Sequence, residues 1–484
     1  MRLFNYLEGI EIKHSNICRL DTEISGVTSK TDSVEKGYIY VCIKGMKTDG
    51  HECACLAKQK GACFLVVEYM SLSVALSGLP YIVVGNARKT LAQMCAIHRG
   101  NPEKQLKLIG VTGTNGKTST CRLLKEIYCA YGRNAETIGT LDGGLTTPDS
   151  ERFFEVLREK FDRGVDTVVM EVSSHALALD KLYGVKFDGA IFTNLTPEHL
   201  DFHKNMDSYC QAKSKLFKMA KWGLYNLDDK YAEGLITTSD RPSFTYSINN
   251  KSKFKADDIR LLGVDGIEYS LDFGKEQTEI KSSLCGVFNV YNTMASACAG
   301  YIDGIDVETI RRAIESVKSV NGRLERVDLG NVGFSVYIDY AHTPDALQNV
   351  LECVLAFKQN NQRLVVLFGC GGDRDKSKRS VMGKIASSLA DFVIVTSDNS
   401  RSENPNDIID DIMQGIDKNS NHKVIENRET AIEYAIMNAK ENDIILLCGK
   451  GHEDYEIGKF GKRYFSEKEI AARAVKKRLK SNDY

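Results

Sequence analysis

The stretch Leu108-Ile-Gly-Val-Thr-Gly-Thr-Asn-Gly-Lys-Thr-Ser-Thr120 constrains this chain more than any other. Residues 106–111 form an apolar run that reads as a buried strand. From Cys121 onward, Leu123, Leu124, Ile127 and Tyr131 recur at helical spacing. Between the two lies a glycine-rich turn that closes on Gly116-Lys117-Thr118. Strand, glycine loop, Lys-Thr and helix, in that order, make a phosphate-binding loop. Its glycines let backbone N–H groups face phosphate oxygens, and the helix N-terminus adds positive potential. Lys117 is placed for the β/γ-phosphates and the Thr118 hydroxyl for Mg²⁺. Val111 stands where the common G-x-x-x-x-G-K-[ST] pattern has its first glycine, so Gly113 must carry the turn. The plainer alternative is a glycine turn before an ordinary helix, and the Lys-Thr pair in this setting argues against it.

The length of 484 residues allows about three domains. Residues 1–105 alternate strands (38–43, 63–68, 81–84) with helices (55–60, 90–99) and end at the polar break 101–105. Residues 106–325 continue from the loop through a hydroxyl-rich turn (143–150), a helix (152–163) and a strand (167–170) ending on Glu171. Ser173-Ser-His175, a strand at 189–193 and an alternating β pattern at 250–285 follow. Residues 326–484 place strands at 334–338, 364–368, 392–395 and 444–447, each running into a polar loop. The order implies an α/β chain of three domains: a small N-terminal α/β domain, a central ATP-binding α/β domain of P-loop type, and a C-terminal Rossmann-like α/β domain. Ligands of such sheets sit at the C-terminal ends of strands. Lys117, Glu171 and the stretch 194–203 should therefore share a crevice. The four loaded loops of the last domain should form a second site facing it.

A net charge of −1 gives no general attraction to nucleic acid or anionic membrane, and no stretch approaches a membrane span. The N-terminus lacks an apolar signal core, and fourteen cysteines without a disulfide framework read as reduced thiols of a cytoplasmic protein. His51, Cys53, Cys55 and Cys63 lack zinc-site spacing and read as buried thiols. Glu171 suits Mg²⁺ beside phosphates, or a helix start. His199 and His203, four apart, would share one helix face and bind metal or hydrogen-bond to each other. Lys213, beside Lys215 and Lys218, reads as part of a solvated face. Arg374 and Arg401 sit in loops where guanidinium forks can grip carboxylates, or are ordinary surface arginines.

Taken together, six motifs resemble the Mur ligases. They are Gly113-Thr-Asn-Gly-Lys-Thr118, Glu171-Val-Ser-Ser-His175, Thr193-Asn-Leu-Thr-Pro-Glu-His199-Leu-Asp-Phe-His203, Asn321-Gly-Arg-Leu-Glu-Arg326, Asp339-Tyr-Ala-His-Thr-Pro344 and Gly449-Lys-Gly-His-Glu453. The resemblance implies an ATP- and Mg²⁺-dependent ligase that adds meso-diaminopimelate to UDP-N-acetylmuramoyl-L-Ala-D-Glu through an acyl phosphate, acting as a monomer. It implies that Gly113, Thr114, Asn115, Gly116, Lys117, Thr118 and Ser119 hold the ATP phosphates. Asn289 and Asn292 lie on the adenine side; Arg323, Asp339 and His342 complete the nucleotide cleft. Glu171, His199 and Thr118 are implied metal ligands, joined by Lys213 as a carbamate (N6-carboxylysine), which overrides its solvated-face reading. Catalysis would then rest on Lys117, Glu171, His199 and Lys213. Thr31, Thr146, Thr147, Ser173 and Lys181 match positions for the UDP-linked substrate. Arg374, Asp398, Asn399, Ser400, Arg401, Gly449 and Glu453 match the site for the incoming amino acid.

The chain departs from the family in three places. Family members that use meso-diaminopimelate carry Asp-Asn-Pro-Arg, where the Arg grips the distal carboxylate; lysine-adding relatives lack that Arg. This chain has Asp398-Asn-Ser-Arg401, which keeps the charged ends and favours meso-diaminopimelate over L-lysine. Lys30-Thr31-Asp32 stands where Asp-Ser-Arg is usual, and Lys181 where Arg is usual. A folylpolyglutamate-type ligase is disfavoured because about 100 residues precede the loop. A nucleotide switch protein would not explain the loaded loops at 369–453.

Overall fold

The strand Lys107–Thr112 sits between Thr167–Glu171 and Phe187–Phe192, parallel to both. In the computed structural model, which describes residues 1–45, 48–142 and 145–482, both faces of this strand are covered. Leu108 packs into one core and Ile109 and Val111 into another. A strand buried on both faces needs an unbroken apolar run, which is the pattern in the sequence. The helix Lys117–Ala130 follows, and Leu123, Leu124 and Ile127 are fully buried. Each contributes about 1.5–3 kcal/mol relative to exposure. Tyr131 departs from its expected place. It caps the helix and is half exposed, and Tyr128 fills the core instead.

That strand belongs to a nine-stranded sheet. Its order is Gln277–Ser282, Ile267–Asp272, Phe254–Leu261, Ser243–Ser247, Ala220–Asn226, Phe187–Phe192, Lys107–Thr112, Thr167–Glu171, Ala135–Ile138. The first two pairings of that list are antiparallel and the rest parallel. A five-stranded sheet precedes it, in the order Ile12–Ser15, Tyr81–Val84, Ala62–Val67, Tyr38–Val41, Gly26–Thr28. A six-stranded sheet follows, in the order Glu325–Arg326, Ser335–Asp339, Ile444–Cys448, Leu364–Phe368, Phe392–Val395, His422–Val424, with an antiparallel first pairing. Its four middle strands are mainly apolar, the first of them flanked by Ser335 and Asp339, and have a core on each face. A two-stranded hairpin, Tyr455–Gly458 with Gly461–Tyr464, projects beyond it.

Parallel pairing brings the C-terminal ends of neighbouring strands to one edge. Val111 stands opposite Glu171, and Asp339 opposite Cys448. The loops that carry the polar motifs therefore emerge side by side. Within the expected hydroxyl-rich turn, Gly143 and Gly144 lie outside the described residues. Cys53, Cys55 and Cys63 are half-buried rather than buried. His51, beside them, is fully enclosed and held by Asp49, whose Oδ1 lies 2.8 Å from Nδ1.

Candidate active site

A cleft of about 650 Å³ runs between the nine-stranded and six-stranded sheets. Residues 113–119, Glu171, His199 and Lys213 line one wall; Asp339, His342, Arg374, Asp398, Asn399, Arg401, Gly449 and Glu453 line the other, with Arg323 between. Asn292, Thr146 and Ser173 also reach it. Thr31, Thr147, Lys181, Asn289 and Ser400 do not.

The phosphate loop is shaped by close approaches that only glycine permits. A Cβ at Gly113 would collide with Thr193 Oγ1, and one at Gly116, where φ is +83°, with Asn292 Oδ1. Asn292 thus packs behind the loop, and its Nδ2 donates to Asn289 Oδ1 at 2.9 Å. The amides of Thr114 and Asn115 donate to Asn194 O and Oδ1, each at 2.9 Å. Lys117 turns back on its own loop and donates to Gly113 O at 2.9 Å and Thr114 O at 2.6 Å. Burial lowers its pKa, against the pull of Glu198 and Glu171. Thr118 lies in the first turn of the helix; its hydroxyl donates to Glu171 Oε1 at 3.0 Å and accepts from Arg323 Nη2 at 2.9 Å. Ser119 follows it, nearly buried. Glu171, buried, also accepts from the Thr140 amide (2.8 Å) and hydroxyl (3.0 Å).

Two expectations from local pattern fail here. Lys213 is not on a solvated face. On the helix Met206–Met219 it falls in phase with buried Tyr209 and Leu216, and it is 1% exposed. Its Nζ donates to Gly113 O at 2.9 Å. Burial, and then repulsion from Lys117, hold its pKa well below the usual lysine value. The helical phase alone, four residues after Tyr209, was a usable signal for this burial. His199 and His203 do not share a helix face either. His199 sits ahead of the short helix Leu200–His203 with φ +57°, while His203 Nε2 lies 2.8 Å from Ser174 Oγ. Burial brings the pKa of His199 down to about 4, so it is neutral near pH 7. Among the described residues, no three His, Cys, Asp or Glu side chains converge as a metal cage.

Sequence reasoning missed Glu198. It lies 3.5 Å from His199 Nε2 and 3.2 Å from His342 Nε2, so it joins the two walls. Burial pushes its carboxyl up. The hydrogen bond from His342 and the charge of Lys117 work against this and hold the carboxyl below its usual range, so it stays ionised. Asp339 accepts from the Leu324 and Ala341 amides at 2.7 Å each, which ties the start of the neighbouring strand to this strand end and fixes the chain leaving it.

Toward the five-stranded sheet, Thr147 donates to Glu171 O at 2.9 Å and accepts from the Ser173 amide at 2.8 Å. It supports the cleft from behind. Ser173 caps the helix Ser174–Ala178. Lys181 lies 2.7 Å from Asp149 Oδ1 and Lys30 3.3 Å from Oδ2, so the two basic departures meet on one carboxylate. Thr31 opens the turn Thr31–Ser33 beside them.

At the opposite end the loops bind one another. Asn399 Nδ2 donates to Glu453 Oε2 at 2.8 Å, and the Ile457 amide donates to Asn399 Oδ1 at 2.8 Å. Arg401, at φ +54°, donates to Gly372 O (2.8 Å) and Asn399 O (3.2 Å); Arg374 donates to Asp373 O (3.1 Å). Burial, and then the positive charge of Arg374, lower the pKa of Arg401. Gly449 approaches Asp398 so closely that a Cβ would lie 2.5 Å from Oδ2. Lys450 and Arg428, both fully buried behind these loops, were also missed. Lys450 lies inside a motif already singled out, but nothing in its spacing signals burial.

With this geometry in hand, the comparisons with known proteins agree. Two family models match: the Mur ligase middle domain over residues 111–300, and the Mur ligase glutamate ligase domain over residues 322–451. The UDP-N-acetylmuramoyl-L-alanyl-D-glutamate--2,6-diaminopimelate ligase of Clostridium botulinum is 40% identical over 481 residues, spanning 96% of this chain and 98% of that one. A solved structure of a ligase of that name is similar across 100% of both chains, at TM-score 0.67 and 27% identity. A MurF ligase from Thermotoga maritima in complex with ADP shares the fold at TM-score 0.62 and 17% identity, over 95% of this chain and 99% of that one.

Proposed function

The chain belongs to the Mur ligase family, and we propose that its cleft joins meso-diaminopimelate to UDP-N-acetylmuramoyl-L-Ala-D-Glu at the expense of ATP. It is an ATP-dependent acid–amino-acid ligase of peptidoglycan precursor synthesis. The γ-phosphoryl group passes to the peptide carboxylate, the amino group of the new residue attacks the acyl phosphate, and phosphate leaves. Two anions meet in the first step, so positioning and charge neutralisation carry the catalysis. We assign residues 1–105 to the UDP-linked substrate, 106–325 to ATP and 326–484 to the amino acid, in a cytoplasmic monomer.

Lys117 leaves its loop carbonyls to neutralise the phosphates. The Thr118 hydroxyl and Glu171 carboxylate are hard oxygen donors 3.0 Å apart, a pair suited to Mg²⁺ with phosphate and water completing its shell. The neutral His199 and a carbamate on Lys213 are the further ligands. Mg²⁺, when bound, supplies charge neutralisation between phosphate and carboxylate. The depressed pKa of Lys213 favours the neutral amine. Its nitrogen can bond to CO₂ and release one proton, giving the carbamate.

The observation that carries the choice of amino acid is the pair Arg374 and Arg401. Both donate to backbone carbonyls, and neither has a carboxylate partner among the described residues. Two adjacent guanidiniums with no carboxylate in ion-pair contact suit the distal carboxylate of diaminopimelate, which L-lysine lacks. The test is phosphate release with ATP, Mg²⁺ and the UDP-linked dipeptide, comparing the two amino acids. Turnover with diaminopimelate alone is expected. Turnover with lysine would keep the ligase and discard this role for Arg401.

A further inference from the structure

Lys450 is a lysine with no access to solvent or to the cleft. Its side chain is 0% exposed, and it is absent from the cleft lining. Its Nζ donates to Asn399 Oδ1 at 3.1 Å and to Tyr455 O at 2.9 Å. The same nitrogen lies 3.6 Å from Asp398 Oδ1 and 3.8 Å from Glu453 Oε2, above the Phe465 ring. An ammonium buried this deeply is costly unless every proton is matched, and here each faces an acceptor or a carboxylate.

The arrangement decides which way the Asn399 amide points. Lys450 Nζ and the Ile457 N–H are both donors and can only face an acceptor. Together they hold Asn399 Oδ1 on the buried side, which leaves Nδ2 to donate to Glu453. The Asn399 carbonyl then accepts from Arg401 Nη1 at 3.2 Å, and the Arg401 amide donates to Ile457 O at 3.0 Å. One buried cation thus ties the Asp398–Arg401 stretch, Glu453 and the hairpin strand Tyr455–Gly458 into a single unit. It does so beside Ser400, where a ring would otherwise restrict φ.

We propose that Lys450 is the positioning residue of the amino-acid site: through Asn399 it sets the orientation of Glu453 and Arg401 toward the incoming amino acid, without touching it. The inference rests on the ligase function proposed above. Two electrostatic observations agree with it. Burial and then Asp398 push the Glu453 carboxyl up, and Lys450 opposes this. Asp398 keeps its charge despite burial because Lys450 and Arg428 face it.

The test is steady-state kinetics of the full-length enzyme with each of the three substrates varied in turn. Lys450→Met is expected to raise KM for meso-diaminopimelate at least about tenfold, while KM for ATP and for the UDP-linked dipeptide stay within about twofold. In an Asn399→Ala background the same substitution should add less than about threefold, since the two residues act in series. Equal rises in all three KM values, an unchanged KM for diaminopimelate, or full additivity with Asn399→Ala would each overturn the proposal. If Lys450→Met is not recovered folded, Lys450→Gln replaces it, with an N–H₂ donor group kept and the charge lost; the same selective rise is expected, and a uniform change counts against the role. A wild-type enzyme that does not use diaminopimelate refutes the proposed function. A wild-type enzyme that does, with an indifferent Lys450, refutes this inference alone.

Discussion

The two ends of the cleft are built on different principles. The phosphate end is local: a strand, the four loop residues 113–116 and a helix supply it, and Lys117 satisfies itself on carbonyls three and four residues away. The amino-acid end draws on the loops after the strands Leu364–Phe368, Phe392–Val395 and Ile444–Cys448, and side chains tie these loops together. Asn399 meets Glu453 and Lys450, and Glu403 meets Asp373 and Arg379. A site made of backbone geometry needs little support. A site made of loops acquires its shape only from buried polar links, and each link can be cut.

Cutting the phosphate end should be the more drastic. Lys117→Ala is expected to lower kcat by at least about 10³-fold with the melting temperature nearly unchanged, because its lost bonds are two exchangeable loop contacts. Circular dichroism with phosphate-release assays checks both halves, and retained activity would remove the phosphate-loop assignment. Arg401→Ala comes next. KM for meso-diaminopimelate should rise about 10- to 100-fold while KM for ATP is unchanged, which would separate the two ends kinetically.

A third experiment addresses the support rather than the ligand. Hydrogen bonding from Arg379, against the opposing effect of burial, holds Glu403 at a pKa of about 2. A carboxyl depressed in the folded state stabilises above its unfolded pKa, near 4.5, and that stability disappears as pH falls toward 2. Glu403→Gln should therefore cost about 1–2 kcal/mol in urea melts at pH 7, discounted for solvent screening, and flatten the loss between pH 5 and 3. An unchanged acid slope would place the loop's support elsewhere. The smallest effect is reserved for Ser400→Pro. Among the hydrogen bonds of the described residues the Ser400 amide donates none. The ring should then leave KM within about threefold and add about 0.4–1 kcal/mol through the unfolded state. A larger fall in KM would mean that the buried links leave the loop loose.

The same contrast explains what could be read in advance. The strand into the phosphate loop and the helix out of it follow from glycine spacing and a 3.6-residue period, so they were legible. Tyr131 was misplaced because a period cannot say where a helix ends. The location of Arg374, Arg401 and Glu453 on one cleft was legible from polar loops at strand ends. Lys213 was readable as buried only through its phase with Tyr209 and Leu216, and the neighbouring lysines obscured it. Glu198 and the shared carboxylate of Lys30 and Lys181 had no signal, since their partners lie 144, 119 and 32 positions away.

By itself, the sequence determined that this is a chain of doubly wound α/β units with a phosphate loop and a set of loaded strand ends. Hydrophobic period and turn chemistry act over a few residues and are written locally. Only the tertiary structure decided which buried charges pair. A charge removed from water must find its counter-charge in space, and the chain separation between Lys450 and Asp398, or between Glu198 and His342, carries no trace of that meeting.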